Sequence, residues 1–195
     1  SNLRELGQAI ATHEGIHRRF PNNGGFVSDS KFRNVDGQMI EATTFDFAEG
    51  FLYRWGVGKP HVAPEKQPGS WAYSILPHIE QEIPYAELLV EYPQPLFKCP
   101  TRNRAKAQPT VDDVHGRYTS GGWAWVKTDY AANKRSVPNT PAVLTVSSIR
   151  DGISNTIGLG EKAFNSSEQL PSSWHWDEPI FVGGSDSTVR DGLLI

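Results

Sequence analysis

Cysteine is nearly absent from this chain, since Cys99 is the only one among its 195 residues. A lone cysteine excludes a framework of disulfides within the chain. Long apolar runs are missing as well. No stretch of about 18 apolar residues occurs, so no segment of this sequence is long enough to cross a bilayer as a helix, and no secretory signal peptide is recognisable at its start.

An excess of charge of one sign is also lacking. Lysine and arginine total 19 against 22 aspartates and glutamates, which gives a net charge of −3. Basic residues cluster only at Arg102, Arg104 and Lys106, and three cations in a polar loop are typical of a solvated turn. The balance excludes a nucleic-acid partner and does not indicate an anionic membrane surface.

Glycine, proline and aromatic residues are plentiful: 18 Gly, 14 Pro and 6 Trp accompany an apolar share of 37%. This composition is typical of a globular protein that has a core and many turns. The length falls within the range of one domain, so we expect a single domain over residues 1–195.

The longest helical pattern covers residues 3–20. Its apolar residues recur at steps of three, four or six and form one stripe along a helix. They are Leu3, Leu6, Ile10, Ile16 and Phe20, and His13 fills the gap between Ile10 and Ile16. Pro21 cannot continue the helix. A single helix of this length is marginally stable in water, so we expect its stripe to pack against the rest of the chain.

The remaining sequence predicts short strands and many turns. Residues 22–69 form a long loop excursion, in which segments 43–47 and 51–55 favour strands. Residues 70–195 form a helix capped by Ser70 and then a β-rich body, in which segment 143–146 also favours a strand. The sequence therefore predicts an α+β fold, with an N-terminal amphipathic helix packed on an antiparallel β-sheet and long irregular loops.

Five blocks of the chain, in matching order, resemble those of one bacterial family. The most specific is residues 151–161, DGISNTIGLGE, which is similar to the family's DGTSNTILVGE. The others are residues 2–7 with 19–21 (NLRELG and RFP), 71–81 (WAYSILPHIEQ), 97–101 (FKCPT) and 128–133 (TDYAAN). Chance agreement across all five is improbable. The chain thus resembles domain of unknown function 1559, a pseudopilin-like family typical of planctomycete-type bacteria.

The resemblance implies a pseudopilin-like fold and a periplasmic or cell-surface location. Family members begin with a prepilin-like leader and an apolar helix, and they usually close with a His-x9-Asp-Gly block. Because neither is present, we expect this chain to be cut at both ends, with the missing helix as its membrane anchor. Members often carry a cysteine just ahead of the position of Asn2, which the resemblance offers as a partner for Cys99.

The sharpest enzymatic motif is His13-Glu14-Gly15-Ile16-His17, which matches H-E-x-x-H. Two histidines four residues apart on a helix can share one zinc ion, with the glutamate as general base. However, Gly15 weakens the helix between the two ligands, and no third ligand follows at a recognisable spacing. We therefore favour a partly buried helix face and keep a zinc hydrolase that uses His13, Glu14 and His17 as an alternative.

Calcium is the other metal hypothesis. The candidate ligands lie in glycine-rich segments near the end of the chain: Asp177, Glu178, Asp186 and Asp191. The resemblance supports the hypothesis, because major pseudopilins often hold calcium in a C-terminal loop. Calcium needs six or more oxygen ligands, and no EF-hand-like spacing occurs. We therefore favour solvated turns and expect no cofactor.

The 151–161 block predicts a structural corner. Its short polar side chains bond readily to nearby backbone, and the block contains no G-x-S-x-G motif. The residues concerned are Asp151, Gly152, Ser154, Asn155 and Thr156, at the corner between a helical turn and a strand. Glu161, which ends that strand, is predicted to accept backbone N–H bonds rather than to act as an acid or base.

Tryptophans are expected mostly in the core. Trp174 and Trp176 flank His175, and alternation along a strand puts both rings on one face, so these three residues are the preferred ligand-binding patch. Our favoured hypothesis is a non-enzymatic, envelope-anchored pseudopilin-like subunit or surface protein of a type II secretion-like assembly, which acts through protein partners or self-assembly. An extracellular carbohydrate-binding module is the first alternative, and the zinc hydrolase is the second.

Overall fold

The computed structural model describes residues 1–102, 107–162 and 179–191. Helix α1 spans Asn2–His17, which confirms the helix expected at the start of the chain. It ends before Pro21 is reached, because Arg18 adopts the left-handed conformation and its N–H donates to the carbonyl of Glu14 at 2.7 Å. The buried face consists of Leu6, Ala9 and His13, so the histidine does fill the gap in the apolar stripe.

Ten short strands lie within the described residues. They are β1 (Lys31–Arg33), β2 (Met39–Asp46), β3 (Phe51–Val57), β4 (Gln108–Pro109), β5 (Gly116–Thr119), β6 (Ala124–Trp125), β7 (Tyr130–Asn133), β8 (Leu159–Glu161), β9 (Val182–Gly183) and β10 (Val189–Arg190). The predicted strands at 43–47 and 51–55 correspond to the hairpin of β2 and β3. The prediction for 143–146 is wrong. Val146–Ser148 forms a 3₁₀ turn there, because Thr145 and Ser148 cap it reciprocally.

The strands form three sheets. The largest is antiparallel and runs β1-β2-β3-β9, with β5 also paired to β2. A mixed sheet has the order β10-β7-β8, in which β10 is parallel and β8 antiparallel to β7, and β4 pairs with β6. With α1 at the start of the chain, these sheets confirm the α+β class. The elements that α1 contacts most are the 3₁₀ turns Leu76–Ile79 and Pro95–Phe97 and strand β8.

The centre of the core is the segment that begins at Ser70, where the sequence predicts a capped helix. It forms a short helix α2 (Trp71–Ser74), capped by the Ser70 side chain, and continues as the 3₁₀ turn Leu76–Ile79. The break agrees with Pro77, which has no backbone N–H to donate. Trp71 is fully buried, and its indole N–H donates to the carbonyl of Thr188 at 2.7 Å. Helix α3 (Glu82–Glu87) follows.

Residues 22–25, Asn-Asn-Gly-Gly, connect four parts of the chain; we call this segment the Asn–Gly crossing. The side chain of Asn22 donates to the carbonyl of Pro64 at 2.7 Å and to the hydroxyl of Thr140 at 2.9 Å. The side chain of Asn23 donates to the carbonyl of Ser185 at 2.7 Å and accepts from the Thr188 hydroxyl at 2.6 Å. Both asparagines are fully buried, so these bonds satisfy their amides.

Glycine is required where other backbone segments meet this crossing. A Cβ atom on Gly56 of β3 would lie 2.1 Å from the carbonyl oxygen of Pro68 and 2.3 Å from that of Gly25. A Cβ atom on Gly183 of β9 would lie 2.4 Å from the same Pro68 oxygen. These obstructing atoms belong to the backbone, which cannot rotate away. Strands β3 and β9 therefore each need a glycine, which has no side chain, at the point where they pass the crossing.

We expect Gly56→Ala to destabilise the fold by about 3 kcal/mol or more, because the added methyl group overlaps two backbone oxygens. Gly7→Ala is the matched control. Gly7 lies in α1, where a Cβ atom meets no atom of the described part of the chain within 4 Å, and replacing a helical glycine stabilises by about 0.5–1 kcal/mol. Urea unfolding measures both changes. Equal stability of Gly56→Ala and the wild type would contradict the tight crossing.

Candidate functional site

Histidines converge at the C-terminal end of α1. His13 is only 4% exposed, and its Nδ1 lies 3.1 Å from the carbonyl oxygen of Arg19. The left-handed Arg18 turns the chain back over the helix end, which brings that carbonyl to the ring. One turn further on, the ring of His17 lies 4.4 Å from that of His13. The spacing of the H-E-x-x-H motif thus places both rings on one side of the helix.

A third histidine comes from the 3₁₀ turn Leu76–Ile79. The ring centroid of His78 lies 5.6 Å from that of His13 and 6.3 Å from that of His17. All three line a cavity of about 690 Å³, which we call the histidine cavity. Its other walls include His61, Glu82 and Tyr85, and Tyr85 accepts a hydrogen bond from the His61 backbone N–H at 2.9 Å.

Positive charge is disfavoured on two of the histidines, His13 and His78. Burial, together with the neighbouring His17 and His78, lowers the pKa of His13 from 6.5 to about 4, although the hydrogen bond to Arg19 opposes this shift. Burial and the nearby His17 also lower the pKa of His78. His13 is therefore neutral at pH 7, and its contact with the Arg19 carbonyl requires the tautomer with the proton on Nδ1.

Neutral imidazoles can coordinate transition metals. However, within residues 1–102, 107–162 and 179–191 no three His, Cys, Asp or Glu side chains are arranged to hold a metal ion. Glu14, the general base of the zinc hypothesis, is partly exposed and is not among the residues that line the cavity. The geometry thus supplies a polar pocket in which the two motif histidines face His78.

The calcium and tryptophan candidates fall largely outside the described residues. Trp174, His175, Trp176, Asp177 and Glu178 all lie there. Of the two remaining acidic candidates, Asp186 forms an ion pair with Lys134 at 2.7 Å. Asp191 is exposed. The Asp186 carboxylate thus has a lysine partner.

The 151–161 block lies at a corner between a 3₁₀ turn and β8. Gly152 has a φ of 77°, a conformation that favours glycine. The side chain of Asn155 donates to the carbonyl of Asp151 at 2.9 Å, and the hydroxyl of Thr156 donates to that of Gly152 at 3.0 Å. Ser154 and Glu161 are exposed, and Glu161 is opposite Tyr130 in the β7–β8 pair. The block therefore makes local backbone bonds at this turn.

Cys99 is buried near the start of α1. The Asn2 side chain donates to the carbonyl of Lys98 at 2.8 Å, and Asn2 and Cys99 line the same surface pocket. The backbone N–H of Cys99 donates to the carboxylate of Asp129 at 2.7 Å. Asn2, at the start of α1, thus lies close to this cysteine.

Sequence reasoning missed the roles of His61 and His78. His78 lies in the 71–81 block, but neither histidine has a metal-ligand motif around it, and each lies far from α1 along the chain. The available signal was the number of histidines: the described part of the chain has five, and four of them line this one cavity. Such clustering depends on the tertiary path and cannot be inferred from spacing.

These features define an α+β domain with an N-terminal helix, a buried Asn–Gly crossing and a histidine-lined pocket. The family described as protein of unknown function (DUF1559) matches residues 1–188, and the chain belongs to this family. Neither the curated proteins nor the solved structures give a match. In the described parts of the chain, no helix is long and apolar enough to span a membrane.

We expect acid to destabilise the fold through His13. The unfolded state takes up a proton near pH 6.5, whereas folded His13 resists protonation until about pH 4. Stability is therefore full above pH 6.5 and falls as the pH drops towards 4. Between pH 7 and pH 5 this one group accounts for a loss of about 2 kcal/mol.

Urea unfolding of the wild type and His13→Gln at both pH values measures this effect. Glutamine retains an N–H donor for the Arg19 carbonyl but does not titrate, so the variant should lose about 2 kcal/mol less than the wild type. His115→Gln, at an exposed position remote from the histidine cavity, should behave as the wild type does. Identical acid sensitivity of wild type and His13→Gln would contradict the assignment to His13.

Proposed function

We propose that this protein is a non-enzymatic, pseudopilin-like subunit anchored in the cell envelope, where it acts through assembly with copies of itself or with other proteins. Membership of a family of unknown function and the α+β fold with its N-terminal helix are compatible with this function. The observation that carries the proposal is the exposed side of α1, which adjoins an open apolar groove.

The outer side of α1 is exposed along the helix. Gly7, Ala11 and Gly15 are exposed at intervals of four residues, so they lie on one side of the helix. A Cβ atom on Gly7 or Gly15 would meet none of the described residues within 4 Å. Small residues in such a row allow another backbone to approach closely.

The groove beside α1 adds apolar surface to the same region. It has a volume of about 290 Å³. Leu3, Gly7 and Ile10 form its helical wall, and Ile149, Ile153 and Leu159 lie opposite. Ile153 remains 55% exposed. Contiguous apolar surface of this kind typically marks a contact with another protein, which supports assembly along the helix.

Disulfide crosslinking in cells tests the proposal. In the complete gene product, Cys99→Ser first removes the one cysteine of this chain. Ala11→Cys then introduces a cysteine on the outer side of α1. Mild oxidation should give disulfide-linked dimers, because assembly brings copies of this face together. Membrane fractionation should recover the protein with the envelope.

Asp36→Cys in the same Cys99→Ser protein is the matched control. Asp36 is also exposed, in the turn between β1 and β2, so random collision would crosslink it as readily as Ala11→Cys. Crosslinking at residue 11 alone supports assembly through α1. Equal crosslinking at the two sites, or a complete gene product without an apolar N-terminal helix, would contradict the proposal.

A further inference from the structure

The end of the β2–β3 hairpin exposes four large apolar side chains. Phe45, Phe47, Phe51 and Leu52 are between 39% and 58% exposed; we call residues 45–52 the hairpin tip. Phe45 is opposite Leu52 in the strand register, so these two side chains share one face. Phe51 projects from the other face, because side chains alternate along a strand. The tip therefore carries apolar side chains on both faces, although Asp46, opposite Phe51, shares the second face, and Phe47 adds apolar surface in the turn.

The carboxylates within the tip already have partners. Oδ1 of Asp46 accepts the backbone N–H groups of Ala48 and Glu49 at 2.8 and 2.9 Å. The hydroxyl of Tyr53 donates to the Glu49 carboxylate. These bonds hold both acidic groups against the turn. The negative charge at the tip is thus stabilised locally beside the apolar side chains.

Arginines stand directly behind the apolar tip. Arg117 of β5 is opposite Phe45, and Arg54 of β3 lies two residues after Leu52, so both share the face of Phe45 and Leu52. Their side chains are 73% and 54% exposed, although each has an acidic neighbour, Asp112 at 4.0 Å and Glu41 at 3.3 Å. On the opposite face the rings of Tyr53 and Trp55 stack at 5.7 Å.

We propose that the hairpin tip inserts shallowly into the surface of a phospholipid bilayer. The arrangement favours a bilayer as the occupant, because exposed apolar side chains lie on both faces and in the turn, and an acyl layer can surround all of them. Phe45, Phe47, Phe51 and Leu52 enter the boundary between headgroups and acyl chains. Arg54 and Arg117 meet lipid phosphates, and Tyr53 and Trp55 lie at the headgroup level, where such rings are enriched.

This contact differs from the membrane anchor of the proposed function. The tip belongs to the chain itself, and the expected anchor precedes residue 1. The purified chain of residues 1–195 therefore tests the tip alone. A complete protein without a membrane anchor would contradict the proposed function but not the proposal for the tip. The net charge of −3 indicates that apolar insertion contributes more than attraction to anionic lipid.

Flotation of the purified chain with vesicles tests the proposal. One set of vesicles contains phosphatidylcholine, and the other contains phosphatidylethanolamine with phosphatidylglycerol. The wild type should float with both. Phe47→Ser/Phe51→Ser should lower partitioning about tenfold, because two apolar side chains are removed from the tip. Arg117→Gln should lower partitioning into the phosphatidylglycerol vesicles about fivefold.

Ile83→Ser/Ile157→Ser is the matched control, since these isoleucines are 65% and 77% exposed away from the tip. It should float as the wild type does. Thermal melting confirms that each variant is folded. The proposal is overturned if the wild type does not float, or if the tip variant floats equally well. It is also overturned if the wild type forms an oligomer that the tip variant loses, because the tip would then be a protein contact.

Discussion

The fold depends on the contact between backbone segments at the Asn–Gly crossing. There, hydrogen bonds from two buried asparagine side chains take the place of the backbone hydrogen bonds that a wider sheet would supply. The Asn22 amide bonds to Pro64 and Thr140, and the Asn23 amide bonds to Asn139 as well as to Ser185 and Thr188. Since an unsatisfied buried polar group costs about 1–3 kcal/mol, each amide favours the path that satisfies its donors and acceptor. The crossing therefore specifies where residues 64–68, 138–140 and 183–188 lie relative to the end of α1.

The crossing explains how a chain with so many short strands has one core. Strands of two to eight residues contribute few backbone hydrogen bonds each. The relative positions of the strands must therefore be set by contacts between strands and loops. Gly56 and Gly183 bring β3 and β9 against residues 23–25 and 68–69. The buried Trp71 donates its indole N–H to the carbonyl of Thr188, whose hydroxyl also bonds to Asn23 of the crossing. The long 22–69 excursion is accordingly part of the framework, because its two ends form the crossing.

Local patterns predicted the elements better than their meeting points. The period of α1, the cap at Ser70 and the alternation in the β2–β3 hairpin are properties of neighbouring residues, and each corresponds to an observed element. The strand prediction for residues 143–146 is wrong because it rests on their apolar, β-favouring side chains and does not include the reciprocal cap of Thr145 and Ser148. The approach of His78 and His61 to α1 could not be predicted, since it results from the tertiary path of residues 58–85. The glycines likewise read as turn signals, although Gly56 lies within a strand.

His13 has a structural explanation that requires no metal. A leucine at this position would continue the apolar stripe, but its side chain has no N–H group that could donate a hydrogen bond to the Arg19 carbonyl. The histidine buries most of its surface against the core and still donates to that carbonyl from Nδ1. This bond holds the chain as it turns from Arg18 towards Pro21 and enters the crossing at Asn22. The first half of the H-E-x-x-H motif thus connects the helix to the segment on which the fold depends, and that role accounts for a buried, neutral imidazole at the helix end.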